Sequence, residues 1–165
     1  MADSVWARIS IGGVISRAKL GDLLAAIAVD LGEDEDSEVF ENFPLRLLED
    51  GALVVAEEDM MNGEFEHTEK TCRALELTYY RQAHGCAAWG PEEVWWDPTC
   101  DADAVKIHDL DCDGGVIIPV DAVSLLLQAY MSSVEETEAG RRLADGLTKL
   151  IDEWDEVPDL EIVED

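Results

Sequence analysis

The residues best equipped for chemistry in this chain are carboxylates. The run Asp109-Leu110-Asp111-Cys112-Asp113-Gly114 sets acids at alternate positions and a glycine at the sixth, as an EF-hand calcium loop begins. That loop also needs a bidentate glutamate at position twelve. Here the position holds Val120, and Asp121 comes one residue late. Apolar alternation ahead of the run suits a strand rather than an incoming helix, so a hairpin with exposed aspartates is expected. Weak calcium binding by Asp109, Asp111 and Asp113 is the alternative use of the same residues. Zinc is not expected: His84 lies two residues before Cys86 and His108 four before Cys112, but no CxxC pair occurs.

Catalytic readings fare no better. With 39 acids in 165 residues, any pair of carboxylates can be picked as acid and base, so the pairing carries no information. Cys72 or Cys86 could serve as a nucleophile beside a histidine, yet no flanking signature supports one. Gly12-Gly13 stands between a strand and a helix but lacks both GxGxxG and GxxxxGK[ST]. No cofactor, no metal and no enzymatic activity are expected.

The acids matter more as a field than as single groups. Against them stand 11 Lys and Arg, for a net charge of −28. The imbalance is not uniform. Residues 1–32 hold three acids (Asp3, Asp22, Asp30) and three bases (Arg8, Arg17, Lys19), and the remaining 36 acids and eight bases follow. The acids gather at Glu33, Asp34, Glu35 and Asp36, at Glu57, Glu58 and Asp59, at Asp101 and Asp103, and at Asp109, Asp111 and Asp113. They gather again at Asp152, Glu153, Asp155 and Glu156. Direct contact with nucleic acid or an anionic membrane is excluded by repulsion, and a basic partner is favoured.

Elements that could present these clusters follow from periodicity. Val5–Ile11 alternates as a strand, broken by Gly12-Gly13. Leu20, Leu23, Leu24, Ile27 and Leu31 mark a helix from Ser16 to a stop at Gly32. A short helix is expected near Phe40–Leu48, and a strand at Ala52–Ala56 ending in the Glu57 cluster. A helix follows from Phe65 to Glu76, then strands at Leu77–Gln82, Glu93–Trp96, Ala104–Leu110 and Val116–Val120. Helices then follow Asp121 and Leu143. Trp95 and Trp96 are adjacent in a strand and must face opposite ways. The sum is a single α+β domain over residues 1–157. It has a mixed or antiparallel sheet of about six strands and four or five helices, ending in two amphipathic helices, with an acidic tail at 158–165. The Leu125–Leu127 run exceeds one helix face and suits burial on several sides or a homodimer contact. The N-terminus lacks the basic start and apolar core of a signal peptide, and no apolar run reaches membrane-span length. The four cysteines are therefore expected reduced, in a cytoplasmic protein.

Duplex DNA carries one charge per about 1.7 Å of axis, so 28 charges correspond to about 48 Å of duplex. A globule of this length is about 40 Å across. The function expected from this match is that of a nucleic-acid mimic, with the acidic clusters as its partner-binding residues. The partner would be a basic nucleic-acid-binding protein such as a restriction enzyme or CRISPR effector. Anti-CRISPR and antirestriction proteins of phages and plasmids are the class with this physics. The rival explanation is a halophile-adapted cytosolic protein of unrelated function. The neutral first 32 residues and the clustering of acids argue against it, since adaptation to salt should coat every element.

Overall fold

The computed structural model describes residues 4–32, 48–49, 51–99, 105–110 and 157–164. The strands are β1 (Ser4–Ser16), β2 (Leu48–Glu49), β3 (Ala52–Met61), β4 (Thr78–Ala83), β5 (Glu92–Trp96), β6 (Lys106–Asp109) and β7 (Leu160–Val163). The helices are α1 (Arg17–Leu31) and α2 (Glu66–Ala74). Strand order is β2-β3-β1-β4-β5-β6 with antiparallel neighbours, and β7 joins the far end of β1 in parallel.

This corrects the expected fold class. The described residues form a mostly antiparallel sheet with two helices, not four or five. The two helices expected at the C-terminal end lie outside the described residues, as does most of the short helix expected near Phe40. Its last residue, Leu48, belongs to β2, and the segment read as an acidic tail contains β7. The sheet reaches further than expected because its strands outrun their apolar stretches. β1 passes through Gly12-Gly13, and β3 passes through Glu57-Glu58-Asp59, since each supplies the other with backbone partners. Local strand preference yields to such pairing.

Both glycines of β1 have a positional reason. A Cβ on Gly12 would lie 1.6 Å from the Pro158 carbonyl oxygen, and Gly13 has φ of +116°. The Gly13 N–H donates to the Asp159 carbonyl at 3.0 Å, so the pair marks where residues 158–160 cross β1 at close range.

One face of the sheet carries the core. Ala7, Ile9 and Ile11 of β1, Leu53 and Val55 of β3, Tyr79 and Ala83 of β4, and Val94 and Trp96 of β5 are buried there. Helix α1 brings Leu23 and Ile27, and α2 brings Cys72, with Phe65 just before it. Glycine ends α1 at Gly32, in the left-handed conformation at φ 65°. Asp30, near that end, caps the next helix from a distance. Its carboxylate accepts the His67 N–H at 3.1 Å and the Thr68 N–H at 2.8 Å, two first-turn donors of α2 that no local side chain satisfies. His67 Nδ1 lies 2.9 Å from the same carboxylate.

The opposite face is polar and aromatic. Strand register sets Arg8, Gln82, Glu93 and His108 in one cross-strand row, and Ser10, Tyr80, Trp95 and Lys106 in the next. Trp96 stacks on Tyr79 in the core at 6.1 Å between centroids, while Trp95 is buried on the other face with Lys106 Nζ 4.6 Å from its ring centroid.

Candidate functional site

Of the acids singled out in the sequence, Glu57, Glu58, Asp59 and Asp109 fall among the described residues. Glu33, Asp34, Glu35, Asp36, Asp101, Asp103, Asp111, Asp113, Asp152, Glu153, Asp155 and Glu156 lie outside them. The first three sit at a β-bulge in β3. Val5 pairs with Met60 but Ala7 with Glu57, so β3 carries an extra residue there. Glu57 folds its carboxylate back over the bulge, and its Oε1 accepts the Glu58 N–H at 3.0 Å and the Asp59 N–H at 3.2 Å. Glu57 therefore does a structural job, and Glu58 and Asp59 are left pointing into solvent.

The register brings the fourth acid to the same end of the sheet. Glu57, Ala7, Ala83, Glu92 and Asp109 form one row across five strands. Four strand spacings put Glu57 and Asp109 at about 19 Å from each other. The structure thus sets these acids along one sheet end without bringing them into contact.

A buried ionic cluster backs this row, with no signal in the local sequence pattern. Arg81 on β4 is 4% exposed and faces the helices. Its Nη1 donates to the Gly63 carbonyl at 2.7 Å, its Nη2 reaches Glu92 Oε1 at 2.6 Å, and its Nε makes a 2.7 Å charge contact with Glu69 Oε1. Arg73 Nη1 donates to the Tyr79 hydroxyl at 2.6 Å, which in turn donates to Glu69 Oε2 at 3.2 Å. Burial lifts the Glu69 carboxyl above its ordinary range, against the opposing pull of Arg81, Tyr79 and Arg73. Burial beside Glu69 also pushes the Tyr79 hydroxyl and the Cys72 thiol upward, so both stay protonated. On the opposite face, the Tyr80 hydroxyl donates to Glu93 Oε1 at 2.5 Å and Gln82 Nε2 donates to the same oxygen at 2.9 Å. Tyr80 is raised by burial first and by its Glu93 contact second.

Chemically, this arrangement is better suited to holding charge than to moving it. Of the described cations, Arg81 is enclosed, Arg73 donates to Tyr79, Lys106 lies over Trp95 and Arg17 is 3.5 Å from Glu164, while Lys19 and Lys70 are exposed. The exposed acids Glu58, Asp59, Glu64, Glu66 and Asp109 have no such enclosure. Among the described residues, no three His, Cys, Asp or Glu side chains gather as a metal ligand set. Cys72 is a free, buried thiol.

No protein-family model, curated protein or solved structure matched this chain. Its function must be argued from its own residues. Among the described residues, no helix is long and apolar enough to cross a membrane.

Proposed function

We propose that this protein is a non-enzymatic, cytoplasmic inhibitor. It presents carboxylates in place of phosphates to the nucleic-acid-binding surface of a basic protein, such as a restriction enzyme or CRISPR effector. One observation carries the reading: acids exceed bases by 28, and Glu58, Asp59 and Asp109 stand exposed at one sheet end while Arg81 is buried. A surface of this kind repels nucleic acid and attracts the groove that binds it, releasing the counterions that a duplex would release.

The test is capture of partners by the tagged protein from its native cell or host, followed by DNA competition on the basic protein recovered. The expected result is displacement of DNA, weakening steeply as salt rises. The triple variant E58K/D59K/D109K should require more protein for the same displacement. A captured protein that keeps its full DNA affinity under excess of this chain would rule the mimic out. Unfolding at low salt with no basic partner would point instead to adaptation to a saline cytosol.

A further inference from the structure

We infer that the groove between the start of β1 and the loop 84–91 receives a guanidinium group, an arginine side chain of the basic partner. The identity of the partner rests on the function proposed above; the site itself does not. The groove has a volume of about 760 Å³, and its walls include Trp6, His84, Trp89, Pro91, Glu92 and Glu93. Trp6 and His84 lie with ring centroids 4.6 Å apart and planes tilted by 39°. The walls are fixed before any ligand arrives. The His84 N–H donates to the Trp6 carbonyl at 2.9 Å, the Cys86 N–H to the Trp89 carbonyl at 2.9 Å, and the Leu110 N–H to the Pro91 carbonyl at 2.8 Å. Such preorganisation lowers the ordering cost of binding.

The charge of the groove selects the ligand. Its described lining holds no Lys or Arg and two carboxylates, of which Glu92 is already paired with Arg81, leaving Glu93 to meet a ligand. Glu93 is held through Oε1 by Tyr80 and Gln82, and no hydrogen bond among the described residues uses its Oε2. An anion would be repelled, and an uncharged apolar ligand would cover the Glu93 carboxylate without pairing it. A guanidinium stacks flat on indole and imidazole faces and offers a fork of N–H donors to a carboxylate, which an ammonium does not. The same protein already sets a cation on an indole, Lys106 over Trp95.

The experiment titrates the whole chain with N-acetyl-arginine N-methylamide while following the five tryptophan indole N–H signals by NMR. Saturable shifts confined to Trp6 and Trp89 are expected, surviving 0.5 M salt, with none from the neutral citrulline counterpart. Trp6→Leu and the exposed His84→Ala should each weaken binding about three- to thirtyfold, with unchanged backbone amide spectra away from the groove. Glu93→Gln should weaken it as well. Shifts that fail to saturate, that citrulline reproduces, or that spread over all the tryptophans would overturn the site. If the site fails while DNA displacement persists, only this inference falls. If arginine binds here and no basic partner is found, the proposed function falls and the site stands.

Discussion

Replacing Arg81 by methionine removes the buried cation that bridges Glu69 and Glu92. In the native protein, Arg81 touches Glu69 at 2.7 Å and Glu92 at 2.6 Å while itself only 4% exposed. The variant leaves Glu69 with Arg73 at 3.8 Å and the Tyr79 hydroxyl. Glu92 is more exposed and can turn to water. Breaking a buried pair from one side costs about 3–5 kcal/mol. At about 2–4 °C per kcal/mol for a chain of this size, the melting temperature should fall by about 6–20 °C. The pH dependence is the sharper signature. The folded value of Glu69 lies above its ordinary 4.5 because burial outweighs its partners. Between those two values the folded state holds a proton that the unfolded state has released. The stability from this group is therefore complete below 4.5 and is lost as pH rises through the folded value. Arg81 is the largest influence pulling that value down, so its loss widens the window upward. Urea unfolding of both proteins at pH 5, 6, 7 and 8 measures the difference directly, and subtracting the native protein removes the general effect of its net charge. The deficit of R81M should grow from pH 5 to pH 8, and the double variant E69Q/R81M should recover part of it at pH 7. A deficit that is flat across this range, or below about 1 kcal/mol, would refute the assignment of Arg81 as the counter-charge of Glu69.

Three further outcomes follow from the fold. Asp30→Ala should cost about 1–2 kcal/mol, as the loss of a helix cap does, with faster hydrogen exchange at the His67 and Thr68 amides. Gly12→Ala places a methyl against the Pro158 carbonyl and should cost about 1–3 kcal/mol, with exchange protection lost at Gly13 and Leu160. Cys72, fully buried and with its thiol pushed upward, should resist iodoacetamide in the native protein and react once urea unfolds it.

What the sequence disclosed and what it hid divide along a physical line. Helix α1 was legible from its apolar spacing and its terminal glycine, and α2 from Phe65, Cys72 and Leu75. The reach of β1 and β3 was not, because their ends are held by each other rather than by their own residue types. Gly12-Gly13 reads locally as a break and is instead the seat for a distant segment. β7 went unseen because Leu160 and Ile162 alternate with acids in a stretch dominated by charge. The acid row of Glu57, Glu92 and Asp109 depends on register across five strands, which no local window contains. Arg81 was equally hidden: nothing in Tyr79-Tyr80-Arg81-Gln82 tells a buried arginine from an exposed one until its partners on α2 and β5 are known.

The parallel pairing of β7 with β1 also constrains how the molecule is made. Gly13 leaves the ribosome long before Leu160, its partner in the ladder. Throughout that interval the second half of β1 has backbone donors and acceptors that this late ladder has yet to satisfy, next to the helix that follows it. Pairings of such long sequence separation form slowly, and an open edge during synthesis is where chaperones or stray strands would bind. The nascent chain's charge is its own protection. Acids accumulate from residue 33 onward, so copies waiting for β7 repel one another while that edge is still open.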